Sequence, residues 1–409
     1  MPKDSIIKPA DRTRDIKYAV RDVVVLANEI AATGREMLYL NIGDPNKFDF
    51  ATPPHMVEAM QRAIADNYNG YAPSSGIPEA VDAIEREARR KGIDNINDIF
   101  VTTGASEAIE ICITALADEG DNILTPSPGY PLYQAVLAKL GVVENPYYLN
   151  EEMGWQPDLN DIASKIDDRT RAIVIINPNN PTGSVCTVET MKGLIKLAKE
   201  HNLVIFCDEI YDKLVLDDDK KHISLASLDH SVPVITFNGL SKSYLGPGLR
   251  IGWGIVSGDS EVLKDYDGAI NQILRARLCA NHPIQYAIKP ALEGDQSHLK
   301  EVRAKLRSRR DITYEMLNAV EGITCEKPEG AFYAFPRIHV DNSDEHFVKE
   351  LLKATGVVVV HGSGFGQVPG TQHFRVVFLP PEDILRKAYQ NIANFFGDYV
   401  RKFAHAAAK

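Results

Sequence analysis

The feature that most constrains this chain is an alternation. Between about residue 98 and residue 258, short continuous apolar runs rich in β-branched side chains take turns with longer stretches whose apolar residues recur at helical spacing. The runs are Ile99 to Thr102, Asn122 to Thr125, Ala172 to Ile176, Leu203 to Cys207, Val232 to Phe237 and Ile251 to Val256. Most are apolar throughout, as strands buried on both faces must be. Between them, Ser106 to Ala117 and Thr187 to His201 carry the apolar spacing of crossover helices packed on a sheet. This rhythm predicts an α/β fold around a mostly parallel central sheet flanked by helices. After Pro283 the pattern changes to a long charged helical stretch, about Ile284 to Val320, then a mixture of short strands and helices ending in a helix from Glu382 to Phe403. A smaller α+β domain is expected there, completed by the N-terminal segment. The expected division is 1–47, 48–293 and 294–409.

Bulk properties narrow the chemistry. A formal net charge of −11 repels polyanions, and no Lys/Arg run with interleaved aromatics offers a footprint for nucleic acid. The apolar runs are too short to cross a bilayer, and the polar, mixed-charge start has no apolar core of a secretion signal. A soluble cytoplasmic protein acting on small molecules is expected. The five cysteines, Cys112, Cys186, Cys207, Cys279 and Cys325, lie too far apart for a disulfide framework or a zinc-ligand pattern, so free thiols and no metal are expected. The run Asp217 to Lys221 reads as a solvated loop.

Open parallel sheets bind ligands outside the carboxyl ends of their strands. The first run ends in Thr103-Gly104-Ala105-Ser106 and opens a helix, offering free backbone N–H groups, a positive dipole end and a hydroxyl to a phosphate; alone, Ser106 reads as a helix N-cap. The second leads through Pro126-Ser-Pro-Gly129 to Tyr130, an aromatic face for a planar ring. The third ends in the turn Asn177-Pro-Asn-Asn180-Pro-Thr-Gly183, the fourth in Asp208-Glu-Ile-Tyr211, and the fifth in Ser241-Lys242 with Arg250 eight residues on. Each feature has a bland explanation as cap, turn or surface charge. Together, a phosphate cradle, an aromatic plate, an amide, a carboxylate with a phenol, and a lysine with an arginine describe the needs of pyridoxal phosphate: an amine for its aldehyde, an acid for its pyridinium nitrogen and donors for its phosphate.

At this point the motifs resemble those of the class I and II aminotransferases of fold-type I pyridoxal-phosphate enzymes, across essentially the whole chain. Asn180-Pro-Thr-Gly183, Asp208 with Tyr211, Ser241-Lys242 and Arg250 fall in that family's order, as do Tyr71-Ala-Pro-Ser-Ser-Gly76 and His373-Phe-Arg375. Within the family the chain is most similar to the alanine aminotransferases, through Asn41-Ile-Gly-Asp-Pro45, Val360 to Gly366 and His373 to Leu379. One position departs: many relatives carry serine where this chain has Gly239, which puts one phosphate hydroxyl in doubt and leaves Ser106, Ser241, Arg250 and backbone N–H groups.

The resemblance implies a transaminase that moves the amino group of an L-amino acid, best alanine, to a 2-oxo acid such as 2-oxoglutarate. In it Lys242 would form the Schiff base with pyridoxal 5′-phosphate and then act as general base. The cofactor would be bound by Gly104, Ala105, Ser106, Tyr130, Asn180, Asp208, Tyr211, Ser241 and Arg250. Arg375 and Asn180, with the backbone at Gly43, would bind substrate. Tyr71 would reach the phosphate of a partner subunit, so an obligatory homodimer with a shared active site is expected. The segment His361 to Gly366 is expected as a turn lining the pocket. Alternatives kept open are an aspartate or broad-range aminotransferase and a C–S β-lyase of the same fold.

Overall fold

The computed structural model describes residues 7–16 and 19–404; of residues 15, 19–22 and 403–404 only the backbone is described. The remainder of the expected N-terminal segment (residues 1–6, 17 and 18) and the last five residues of the expected C-terminal domain lie outside the described residues.

All six apolar runs enter one eight-stranded sheet. Its strands are β1 (Ile96–Thr102), β2 (Asn122–Ser127), β3 (Val143–Asn150), β4 (Gln156–Pro157), β5 (Thr170–Ile176), β6 (Val204–Asp208), β7 (Val234–Gly239) and β8 (Gly252–Ser257). The spatial order is β1-β8-β7-β6-β5-β2-β3-β4. The five central strands β7, β6, β5, β2 and β3 run parallel, whereas β8 is antiparallel to both its neighbours and β4 to β3. Every residue of β6, β7 and β8 is buried, which explains their continuous apolar sequences. The strand β3 escaped the sequence reading because VENPYYLN is half exposed and carries Pro146, features that suit a strand near a sheet edge.

Helix α1 (Pro78–Arg90) leads into the sheet, and α2 (Ala105–Leu116) and α3 (Val188–His201) are crossovers in the positions expected. Thr187 is the N-cap of α3, its hydroxyl accepting from Thr190 N, so the sequence signal for the start was a cap and not a helical residue. The long helical pattern after Pro283 is in fact broken into His282–Gln285, Ile288–Glu293 and α4 (Ser297–Asn318). Gly294 and Asp295 make the break, with the Asp295 carboxylate accepting from Ser297 N at 2.9 Å.

Helix α4 packs on the terminal helix α5 (Glu382–Ala404). Beside them, strand Phe374–Val377 lies between Tyr333–Ala334 and Val360–His361, antiparallel to both. Leu38–Tyr39, from the N-terminal side, pairs in parallel with Val357–Val358. The loop at 217–221 is more than solvated surface: Asp217 pairs with the buried Arg310 of α4 at 2.9 Å, Asp218 with Arg307 at 2.6 Å, and Lys220 with Glu329. Burial of one partner is what ties this loop down. Among the described residues no helix is long and apolar enough to cross a membrane, and all five cysteines are free.

Candidate active site

The carboxyl ends of β1, β5, β6 and β7 open into a cavity of about 510 Å³. Eleven of the residues singled out in the sequence line it: Gly43, Ala105, Ser106, Tyr130, Asn180, Asp208, Tyr211, Ser241, Lys242, Arg250 and Arg375. Residues more than 300 positions apart in sequence therefore face one space.

The Lys242 amine donates to Gly43 O at 2.9 Å and lies 5.6 Å from the Phe332 ring centre. Burial pulls its pKa from the ordinary lysine value down to about 8; Arg375 and Arg250 push the same way, and Asp44 and Asp208 oppose them. Gly43 has to be glycine here, because a Cβ would sit 2.2 Å from Tyr333 Oη. Gly43→Ala must displace either the buried Tyr333 and Phe332 rings or the backbone whose carbonyl holds Lys242. It is expected to lower kcat/KM for the amino donor by about 10- to 100-fold, with cofactor absorbance retained; steady-state kinetics within twofold of wild type, on the order of experimental error, would contradict this.

Asp208 ends β6, nearly fully buried, with Oδ1 accepting from Ile210 N at 3.2 Å and Oδ2 facing the Tyr133 hydroxyl at 3.4 Å. Burial is the main reason its pKa rises to about 6, the adjacent Glu209 adding to the rise and Lys242 opposing it. Tyr211 is also buried and its hydroxyl lies 2.9 Å from that of Tyr333. The sequence reading missed Tyr133 and Tyr333. Tyr133 sits three residues beyond Tyr130, and Tyr333 comes from a strand far along the chain with no local signal. It also passed over Asp44, which lines the cavity one residue after Gly43.

Arg375 is not a surface arginine: it is 2 % exposed. Its guanidinium donates to Asn180 Oδ1 at 3.1 Å and Asn41 O at 2.6 Å, between the rings of Tyr333 and Phe365 at 4.7 and 4.5 Å. These contacts fix its plane, which a bidentate carboxylate partner requires. The glycine-rich turn 361–366 supports this arginine through Phe365 from behind and does not line the cavity itself.

At the opposite end α2 begins at Ala105, with Gly104 as its N-cap at φ +80°. Ser106 is thus inside the first turn, and no side chain caps this end. A Cβ on Gly104 would lie 2.4 Å from Arg250 Nη2, so the guanidinium sits directly over the glycine beside the free helix N-terminus. Gly239 has its own reason: a Cβ there would be 2.7 Å from Ile251 O and 2.9 Å from Gly252 Cα, so the close pairing of β7 with β8 excludes serine. Tyr71 is 84 % exposed and does not line the cavity of its own chain.

The sequence profile of the aminotransferase class I and II family matches residues 35–392. The chain belongs to this family. The alanine aminotransferase of Mycobacterium tuberculosis is 39 % identical over 398 residues, covering 95 % of this chain and 92 % of that one. The glutamate-pyruvate aminotransferase AlaA of Escherichia coli K12 is 37 % identical over 404 residues, covering 97 % and 99 %. The crystallised alanine aminotransferase from Pyrococcus furiosus superposes with a TM-score of 0.92 at 42 % identity, over 96 % of this chain and all of that one. This aminotransferase is therefore a pyridoxal-phosphate-dependent enzyme of fold type I acting on amino acids and 2-oxo acids. The cavity fits that cofactor: a guanidinium and a bare helix N-terminus at one end suit a phosphate, and a buried carboxylate and an amine of lowered pKa face the space between.

Proposed function

We propose that this aminotransferase interconverts alanine and 2-oxoglutarate with pyruvate and glutamate, with Lys242 as the catalytic amine. The observation that carries the reading is the meeting of Lys242, Asp208 and the buried Arg375 in one cavity. The names of the relatives from Mycobacterium tuberculosis, Escherichia coli and Pyrococcus furiosus support the choice of alanine.

Bound pyridoxal phosphate supplies an aldehyde for imine formation and a ring that withdraws electrons from the substrate Cα. Ala105 and Ser106 at the head of α2, with Gly104 beneath, Ser241 and Arg250 hold its phosphate. Asp208 would accept from the ring nitrogen and keep it protonated, a charge-assisted contact strengthened by burial. Tyr211 and Asn180 would donate to the ring hydroxyl oxygen, and Tyr130 would offer its ring face to the cofactor. Arg375 grips the substrate α-carboxylate through its two terminal nitrogens, with Asn180 and the Gly43 backbone completing the contact. Lys242, held at Gly43 O, would take the proton from the substrate Cα and carry it on its amine beside the cofactor. With its pKa near 8, roughly a tenth of this amine is unprotonated at pH 7, enough for a general base that works near neutrality.

Arg375→Ala is expected to lower kcat/KM for every amino donor by about 10² to 10³ with the cofactor still bound, because a fixed bidentate contact is lost. Wild-type kinetics in that variant would remove the role. The exposure of Tyr71 supports its service to the phosphate of a second subunit, hence a homodimer with shared sites. The free cysteines support a reducing, cytoplasmic setting. The pairing of Leu38–Tyr39 with Val357–Val358 supports a division into 1–47, 48–293 and 294–409 in which the first segment joins the last. Mixing the loaded enzyme with alanine tests the whole reading. The cofactor should convert once per site to its amine form and recover its original absorbance on addition of 2-oxoglutarate. Continuous release of pyruvate and ammonia without a 2-oxo acid would instead mean a lyase.

A further inference from the structure

Three cavity residues share a pattern: the residue that follows each one points away from the cavity, into a second, buried polar cluster. Asp208 is followed by Glu209, Tyr211 by Asp212, and Lys242 by Ser243. All three followers are buried, Glu209 and Ser243 completely. Asp208 ends β6, and the chain then turns, with Asp212 N donating to Glu209 O at 3.0 Å; Lys242 and Ser243 sit in a second turn, with Leu245 N donating to Lys242 O at 3.2 Å.

Lys91, the residue capping the C-terminus of α1, reaches into this cluster. Its ammonium bonds Asp212 Oδ2 and lies 4.0 Å from Glu209 Oε2. Asp212 Oδ1 faces the Ser243 hydroxyl at 3.4 Å. Glu209 Oε1 accepts from Ser224 at 2.6 Å, and its Oε2 is 4.0 Å from His222 Nε2. The other charged or titratable groups around are Cys207, whose thiol donates to Glu209 Oε1 at 3.4 Å, Glu87, which binds Lys213 at 2.5 Å and Arg90 at 2.7 Å, and Tyr244, with His298 on α4 against Ser243 O. The Asp212 and Glu209 side chains are 3 % and 0 % exposed and that of Lys91 20 %, so water screens the carboxylates little. Burial opposes the Lys91 charge, yet Asp212 and Glu209 outweigh it and hold its pKa above the ordinary lysine value. Burial likewise opposes ionisation of Asp212, and Lys91, Lys213 and His222 still bring its pKa down to about 2.

We propose that Lys91 is a positioning residue: by drawing Glu209 and Asp212 together from behind, it sets the directions of Asp208 and Tyr211, and through Ser243 that of Lys242. The proposal rests on the roles assigned above to those three groups. Without the ammonium, two buried carboxylates are left facing each other, and their repulsion turns the backbone that carries Asp208 and Tyr211.

The test is a series in the cofactor-loaded enzyme: Lys91→Met, Lys91→Arg, and Lys91→Met combined with Glu209→Gln. For Lys91→Met, kcat is expected to fall by about tenfold, with thermal stability dropping in parallel. KM for the amino donor should stay within about twofold, because Arg375 is untouched. Lys91→Arg keeps the charge and should track wild type, and the double variant, with one carboxylate fewer, should recover most of the loss. A Lys91→Met defect that falls on KM and not on kcat, or that Glu209→Gln does not relieve, overturns the proposal. Should Lys91→Met fail to fold, recovery of folded, cofactor-binding protein in the double variant is the same expectation, and its absence the same refutation. Failure of the underlying roles would appear separately, as an unchanged spectrum in Lys242→Ala.

Discussion

Lys242→Ala is expected to lower transamination by about four orders of magnitude or more, since one side chain serves as both covalent partner and general base. The visible absorbance of the lysine-linked cofactor should vanish, while the phosphate end at α2 and Arg250 still retains cofactor noncovalently. No other lysine can substitute: among the described residues the one further lysine lining the cavity is Lys47, which is exposed. Stability should move the other way. In the folded chain burial and the two arginines lower the Lys242 pKa to about 8 from 10.5. The folded state is therefore penalised for carrying this ammonium below pH 8, and the penalty disappears as pH rises from 8 through 10.5. Cofactor-free Lys242→Ala should accordingly melt above cofactor-free wild type at pH 7, with the two converging toward pH 10.5. An unchanged visible spectrum, or a variant that melts lower at pH 7, would reject the assignment.

What made the site legible was the sheet. A parallel strand delivers whatever follows it to one known edge, so Ser106, Asn180, Asp208 and Lys242 could be placed together from the positions of β1, β5, β6 and β7 alone. Arg375 came from the family resemblance, and only its burial between Tyr333 and Phe365 separates it from a surface cation. Groups that reach the cavity from elsewhere had no such marker. Tyr333 lies in a two-residue strand, and Tyr133 is the lone aromatic of a short apolar helix, where packing is the plainer reading. Lys91 looked like any lysine at a helix end; its meaning depends on two carboxylates over a hundred positions away. Gly239 shows the limit of comparing motifs without coordinates. Its missing hydroxyl suggested a weakened phosphate site, but the constraint is the backbone of β8 lying too close for any Cβ.

The helical pattern after Pro283 misled for a related reason. Apolar spacing persists through Gly294 and Asp295 because the three successive helices all pack on the same core, so periodicity alone could not reveal the turns between them. Glycine followed by an Asp that can cap the next turn was the available signal.

Asp208→Asn separates the charge of this residue from its shape. An amide oxygen can still approach the ring nitrogen, yet it brings no negative charge to hold a proton there, and the ring withdraws fewer electrons from Cα. We expect kcat to fall by about 10³-fold, or ~4 kcal/mol of transition-state stabilisation, with KM for the amino donor much less affected because Arg375 is intact. The pH dependence of stability supplies an independent check. Burial first, and Glu209 after it, raises the Asp208 pKa from 3.8 to about 6. The cofactor-free fold is thus penalised for the carboxylate above pH 6, and the penalty fades as pH falls from 6 to 3.8. Cofactor-free Asp208→Asn should therefore be more stable than wild type at pH 7 and no more stable near pH 4, the reverse of its effect on catalysis. The physical reason is that both Asp208 and Lys242 are held where burial disfavours their charge, a cost that bound cofactor offsets through its ring nitrogen and aldehyde. A kcat loss below about tenfold, smaller than the removal of one preorganised charge contact allows, or an Asn variant destabilised at pH 7, would show that Asp208 serves the fold and not the ring.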